Sequence, residues 1–520
     1  MKKTGKRTFH ASLRLVAQSS VIVFIGIAFS KLLTYFYRVV IAREFGPEIY
    51  GLFSLALVVS SFFVMAASLG LPEGALRYLS FYRGKGELAK ARYLFRVASR
   101  ALLVSGLLAA MVLYFAARSI SVLFFHNEGL VPFLQAFGLF IPFSILGGHF
   151  LSTLLAFGHV RWNVFINNFL QNFFKVLALL LFLMIGLKSS AVIGSYVAGI
   201  VIMCALAYFA IRYSIPTLLH PVRLEKSTKH LVLREVFDYS WPIIFLSAVY
   251  TVFNWTDSVV IGYFMSAADV GIYNAAFTLI SLFGIAPELF KQFFFPYIVK
   301  EYSRKNLEII RQLSQQVGKW IYILNLPLFL FMAVFPGAVI NVLFGAEYLT
   351  ATDVLRILAI GGMLASFNTV LMNLLSMQGK SKLIMVNTIS VSVLDLILNV
   401  LLVPRYGLYG AAYSTAFSLA LLGCIMLIQV RRSIGIVPFR RRMWRVTLAA
   451  IIPAIGLLVI KHFYAPSFIV LALAGTAFIL AYGVLIFMMK TLDSNDWDII
   501  HYGRDKIRQF SSRNKGTRSR

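Results

Sequence analysis

Apolar runs of about 20 residues, the length an α-helix needs to cross a hydrocarbon core, recur along the chain from near residue 15 to near residue 489. Charge, Gly or Pro bounds each run. The spans so defined are 15–41, 51–71, 94–117, 131–157, 163–186, 190–212 and 237–263, then 270–297, 318–337, 352–377, 383–404, 409–430, 445–461 and 466–489. Such runs are longer than a buried core helix requires, and the connections between them are mostly short. The pattern predicts an all-α integral membrane protein of fourteen transmembrane helices.

The spans repeat. At an offset of 220, VVIAREFGPEIYGLFSLALVVSSFF (39–63) lies over VVIGYFMSAADVGIYNAAFTLISLF (259–283), so that Gly51, Ala56 and Ser61 meet Gly271, Ala276 and Ser281. With one gap, LSTLLAFGHVR (151–161) lies over LMNLLSMQGKSK (371–382). Spans 1–6 and 7–12 are thus two six-helix repeats, with two C-terminal helices appended. The implied division is a short N-terminus (1–14), an N-lobe (15–220), a C-lobe (221–440), spans 13 and 14 (441–490) and a basic tail (491–520). Six spans insert each repeat with the same topology, which relates the lobes by an axis along the membrane normal, as in transporters that bind substrate between rocking halves.

Composition sharpens this picture. Of 520 residues, 59% are hydrophobic and 13% charged, about half the charged share of a soluble domain, which excludes a water-soluble enzyme. The net charge of +29 sits in loops between spans and not on a folded soluble face, so nucleic acid is not an expected partner. Counting groups at span ends with the adjacent loop, 38 of the 49 Lys and Arg fall on the side of the N-terminus. Positive charge accumulates on the cytoplasmic side, so both termini are expected in the cytoplasm of a multi-pass protein of the cell membrane. The first apolar run contains Lys31 and Arg38 with no small-residue cleavage site and reads as a retained helix, not a signal peptide. Cys204 and Cys424 lie inside apolar runs, and the eight histidines lack ligand spacing, so no disulfide framework, metal or cofactor is expected. No catalytic constellation and no phosphate-cradling glycine loop is present.

Charged groups inside a bilayer are costly and usually face a wet cavity or the bundle interior. In span 1, Lys31 and Arg38 share a helical face with Thr34 and Tyr35. The offset carries this face onto Thr251, Asn254 and Ser258 of span 7, beside Asp257. Both faces are expected to line a cleft between the lobes, basic on the first lobe and acidic or neutral on the second. In span 5, Asn168, Gln171 or Asn172, and Lys175 stand at helical spacing; span 11 carries Thr388, Ser392, Asp395 and Asn399, with Lys175 and Asp395 equivalent. These line the cavity, glue each lobe by hydrogen bonds, or pair directly as Lys175 with Asp395. Glu288 and Lys291, one turn apart beside Pro287, have the spacing of a local ion pair on a bent helix, and Glu73 and Arg77 that of another. Arg100 and Arg356, near span ends, are expected to snorkel.

GKSKLIMVNTISVSVLDLILNVLLVPRYGLYGAAYSTAFS (379–418), with its basic turn, Asn-bearing helix, Pro and Gly-x-x-Gly-Ala-Ala, resembles spans 11 and 12 of polysaccharide and oligosaccharide flippases. AREFGPEIYGLFSLA (42–56) is similar to the turn between their first two spans, and TDSVVIGYFMSAADVGIYNAA (256–276) to the start of their second lobe. The likeness covers essentially the whole chain and points to the multidrug/oligosaccharidyl-lipid/polysaccharide exporter superfamily. It implies translocation of a polyprenyl-diphosphate-linked oligosaccharide, with membrane lipids and polysaccharide-assembly enzymes as partners. Lys31 and Arg38 suit the diphosphate, and Tyr35, Asn168 and Asn254 the sugars. Asp395 departs from the usual neutral residue of the pattern. Alternatives are a flippase for lipid-linked peptidoglycan precursor, a multidrug exporter, for which acidic cavity groups are expected, and a membrane glycan polymerase or ligase, for which a sizeable external loop is expected.

Overall fold

The computed structural model describes residues 2–440, 443–463, 467–489 and 491, with side chains described from residue 29 onward except 246, 292 and 293. The expected basic tail lies outside the described residues apart from Thr491. Among the described residues there is no strand, and thirteen helices are long and apolar enough to cross a membrane. The first of them, Phe29–Ser68, is 40 residues long, about 60 Å of helix against a core of about 30 Å. It lies within α1 (Lys2–Ser68), which is broken at Gly46, where φ 74° and ψ 179° are open to a residue without Cβ; Pro47 then starts the next arm. Tyr37 and Phe53, on either side of the break, bring their ring centroids within 6.0 Å. In an unbroken helix they would stand about 24 Å apart, so the chain reverses here and α1 holds the first two expected spans.

The N-lobe continues with α2 (Leu71–Gly84), α3 (Leu88–Ser119), α4 (Leu130–Ala156), α5 (Val160–Met184) and α6 (Ser189–Ser214). α4 is packed between α3 and α6, with Phe137 stacked on Tyr196 at 5.3 Å. Residues 72–84, expected in the loop between the second and third spans, are helical: Gly74, Ala75, Leu79 and Tyr82 recur on one buried face. α5 contains a π-helical turn at Phe165–Leu170.

The C-lobe comprises α7 (Lys226–Phe264), α8 (Ala267–Ile280), α9 (Ile285–Ser303), α10 (Leu307–Val334), α11 (Pro336–Leu343), α12 (Thr352–Ala365), α13 (Asn368–Met377), α14 (Ser381–Tyr406) and α15 (Leu408–Ile434). A capping box opens α8: the Asp269 amide donates to Ser266 Oγ (3.2 Å) while the Ser266 amide donates to Asp269 Oδ2 (3.0 Å). Near Pro287, where the sequence suggests a bent helix, a 3₁₀ turn at Ser281–Gly284 separates α8 from α9. α16 (Met443–Phe463) and α17 (Phe468–Met488) pack on each other and on α10. One end of the bundle carries α2 and the 215–225 lobe linker and is called the linker end. The other, called the far end, carries the α1 break and the α7–α8 turn.

Candidate functional site

Lys31, Thr34, Tyr35 and Arg38 of α1 come together with Tyr250, Thr251, Asn254 and Trp255 of α7 and with Asn274, Phe277, Thr278 and Ser281 beside them, around a cavity of about 410 Å³. Helical spacing puts the first four on one face, and the break at Gly46 carries the rest of α1 away, so this face is left to meet the C-lobe. Arg38 Nη1 donates to Thr278 Oγ1 at 3.0 Å and the Tyr35 hydroxyl is 2.7 Å from Ser281 Oγ, both across the lobe boundary. A second cavity of about 580 Å³ shares Arg38, Thr251 and Trp255 with the first and extends along the N-lobe past Ser61, Glu73, Gln171 and Tyr196. The two form one cleft with Arg38 at their junction. Among the described residues no carboxylate lines the first cavity, and Glu73 is the one acid lining the second.

The remaining polar residues of the N-lobe sit behind this wall. Asn172 Nδ2 donates to Ser30 Oγ (2.9 Å) and to the Asn168 carbonyl (3.1 Å), and Thr34 Oγ1 reaches Asn172 Oδ1 at 3.4 Å. Asn168 itself is half-buried and lines neither cavity. Lys175 Nζ lies over the Tyr196 ring at 4.5 Å, so Lys175 backs a residue of the cleft wall and makes no pair with Asp395.

In the C-lobe, Asp257 of α7 is buried. Its Oδ2 accepts from Tyr273 Oη (2.6 Å) and Thr415 Oγ1 (2.7 Å), and its Oδ1 from Asn399 Nδ2 (2.9 Å). Asp395, also buried, accepts from Ser414 Oγ at 3.0 Å, and Asn399 Nδ2 in turn contacts Ser414 Oγ at 3.1 Å. Two carboxylates from α7 and α14 therefore share a network of neutral partners, in which the buried Asn399 Oδ1 accepts no hydrogen bond. Asp257 belongs to this network and not to the cleft lining. Glu288 and Lys291 stand 3.9 Å apart, half exposed, as the spacing suggested.

The lobes touch at both ends of the cleft. At the far end α1 and α8 meet backbone to backbone: a Cβ on Gly51 would stand 1.7 Å from the Ala267 carbonyl oxygen, and one on Gly271 2.1 Å from that of Pro47. Tyr348 Oη donates to the Ala42 carbonyl at 3.1 Å. At the linker end Tyr82 Oη donates to Glu235 Oε2 at 2.6 Å, and the Arg77 guanidinium lies 4.1 Å from the Tyr239 ring centroid. Burial, then that carboxylate, pushes the Tyr82 phenol above its ordinary range, which keeps it a donor. The expected Glu73–Arg77 pair is thereby corrected: Arg77 turns to the aromatic ring of the other lobe while Glu73 faces the cleft. Arg356 pairs with Asp353 instead of snorkelling alone.

Asn274, Thr278 and Ser281, Tyr273, and Ser414 with Thr415 were not singled out from the sequence. The first three recur at i, i+4 and i+7 in an otherwise apolar run, a polar stripe that periodicity could have flagged.

The family model described as polysaccharide biosynthesis protein matches residues 16–301, more than half of the chain. The chain belongs to this family. A second model, MatE, matches residues 242–401. The chain is 24% identical over 401 residues to an uncharacterized membrane protein, MJ1068, of Methanocaldococcus jannaschii, covering 74% of this chain and 78% of that one. It is 29% identical over 238 residues to the probable low-salt glycan biosynthesis flippase Agl15 of Haloferax volcanii, covering 45% and 48%. Among solved structures, lipid II flippase MurJ in an inward closed conformation superposes with TM-score 0.67 at 18% identity, over 89% of this chain and 98% of that one. An inward-facing multidrug resistance MATE family transporter superposes with TM-score 0.69 at 13% identity, over 80% and 98%. The protein is a multi-pass membrane transporter of the flippase and exporter type, not an enzyme, with the two-lobe fold of that superfamily.

Proposed function

We propose that this protein moves a polyprenyl-diphosphate-linked oligosaccharide from the leaflet at the linker end to the opposite leaflet, by alternating access between its lobes, to supply cell-surface polysaccharide assembly. The observation that carries the reading is the charge of the first cavity: among the described residues Lys31 and Arg38 line it and no carboxylate does. Two cations with no acid beside them among the described lining residues favour an anionic headgroup, and a diphosphate offers oxygens to both through charge-assisted bonds. Seven residues of helix separate them by about 10 Å along the axis, room for one to hold the diphosphate while the other holds the first sugar or hands the phosphate on. Tyr35, Thr34, Asn254 and Trp255 supply hydroxyl, amide and aromatic surface for the sugars. Asn168 and Lys175 act from behind, setting the positions of Asn172 on α5 and Tyr196 on α6. The lipid tail stays in the bilayer.

The linker end is taken as cytoplasmic because most Lys and Arg lie there, which puts both termini in the cytoplasm and the protein in the cell membrane. The C-lobe network adds a driving force to the reading. Two buried carboxylates with neutral partners call for a proton or metal cation in their apolar surroundings, and Asp257, Asp395 and Asn399 are the groups proposed to exchange it. Glu288 and Lys291 are assigned to local pairing. Enzymes that build and polymerise the glycan are the proposed partners.

The test is translocation by the purified protein in liposomes, scored by a headgroup-modifying enzyme confined to one side. Transfer of the polyprenyl-diphosphate oligosaccharide and not of the same glycan on an uncharged lipid is expected. Equal transfer of both, or of neither, contradicts the reading, and faster transfer of a lipid-linked peptidoglycan precursor moves the substrate to that class.

A further inference from the structure

The outer wall of the N-lobe, facing away from the cleft, carries a second set of cations. α3 presents Arg92, Arg96 and Arg100 at intervals of four, and so on one helical face. With its π-helical extension this helix runs 37 residues, Leu88–Phe124, about 55 Å against a hydrocarbon core of about 30 Å; its first turns therefore project to headgroup level. Among the described residues none of the three makes an ion pair: Glu87, the nearest acid in sequence, is taken by Lys90 at 3.0 Å. The Arg92 Nε is buried without a partner, Arg96 Nη2 donates to the His220 carbonyl at 2.7 Å, and Arg100 is exposed.

Beside these arginines a groove of about 270 Å³ runs between α3, α4 and α6 under the lobe linker. Arg96 and Arg100 stand at it, and Phe95, Leu103, Leu146 and Phe150 make its apolar wall. None of its lining residues lines the cleft: α4 gives Ile145 and Gly148 to the cleft and Leu146 and Phe150 to the groove. The groove is thus separate from the substrate path. An apolar floor that faces the bilayer takes an acyl chain, and uncompensated guanidinium groups at headgroup level take a phosphate.

We propose that this groove is a binding site for an anionic phospholipid of the linker-end leaflet, its phosphate held by Arg100 and Arg96 and one acyl chain lying against Phe95, Leu146 and Phe150. Because Arg96 also holds the linker carbonyl of His220, the lipid sits where the N-lobe meets the segment that joins the lobes.

The experiment is native mass spectrometry of the full-length protein released from detergent with equal amounts of dioleoylphosphatidylglycerol and dioleoylphosphatidylcholine. Wild-type protein is expected to retain phosphatidylglycerol at least fivefold over phosphatidylcholine, and millimolar glycerol phosphate is expected not to displace it. The Arg96→Gln/Arg100→Gln variant should lose this preference. Leu146→Trp, which fills the groove and leaves the arginines in place, should lose it as well; Arg100→Gln alone replaces the double variant if that is not monodisperse. Unchanged preference in the variants, equal retention of the two lipids by wild type, or displacement by glycerol phosphate overturns the site.

Discussion

Arg38 is the residue at which the two halves of the repeat become one machine, since it lines both cavities and donates to Thr278 of the other lobe. The sequence made its helical face legible: Lys31, Thr34, Tyr35 and Arg38 fall at i, i+3, i+4 and i+7, and only a helix brings such positions together. What the face meets was not legible, because Thr278, Ser281 and Asn172 reach it through packing between elements far apart in the chain. The same limit holds for Asp257, which is fixed by side chains of α8, α14 and α15. The offset pairs it with Tyr37, a buried aromatic whose hydroxyl lies 3.0 Å from Ser195 Oγ. Corresponding positions thus hold different chemistry in the two lobes, an acid in one and a phenol in the other. Replacing Asp257→Asn keeps the volume and leaves Tyr273 and Thr415 an acceptor. The variant is expected to fold, to translocate without an imposed gradient, and to lose all stimulation by proton or sodium gradients; stimulation equal to wild type in the same liposomes removes Asp257 from coupling.

At the scale of elements, hydrophobic run length was sufficient to locate the spans, since crossing a bilayer demands about 20 apolar residues whatever the tertiary packing. Amphipathic α2 escaped because its buried face, Gly74, Ala75, Leu79 and Tyr82, is short and interrupted by charge. The far-end contact between α1 and α8 was half legible: Gly51 and Gly271 aligned as repeat partners, yet only the structure brings each against the other's backbone. This contact needs both positions free of Cβ, so Gly51→Val costs the far-end-closed state about 1–3 kcal/mol through overpacking, up to roughly a hundredfold in the equilibrium. Combined with Asn254→Cys, it is expected to raise labelling of the cleft by an impermeant thiol reagent added at the far end. Labelling no faster than in Asn254→Cys alone shows that this helix crossing does not hold the cleft shut.

The whole molecule is two six-span lobes that meet at both ends of a cleft, with unlike charge in its halves: cations of α1 at the cleft and carboxylates buried within the C-lobe. Duplication supplied the scaffold and later divergence the polarity: the offset put the cations on the first lobe and Asp257 on the second, while the burial of Asp257 and Asp395 together, away from the cleft lining, depends on packing that the repeat does not encode. An anionic headgroup entering such a cleft would meet Lys31 and Arg38 and, among the described residues, no acid in the first cavity. The most direct measurement is the headgroup translocation rate of Lys31→Ala against wild type, in liposomes holding equal amounts of correctly inserted protein. Loss of a charge-assisted bond worth about 1.5–3 kcal/mol predicts a rate lower by about ten- to a hundredfold, whereas translocation at the wild-type rate would contradict the cationic cleft as the seat of the substrate.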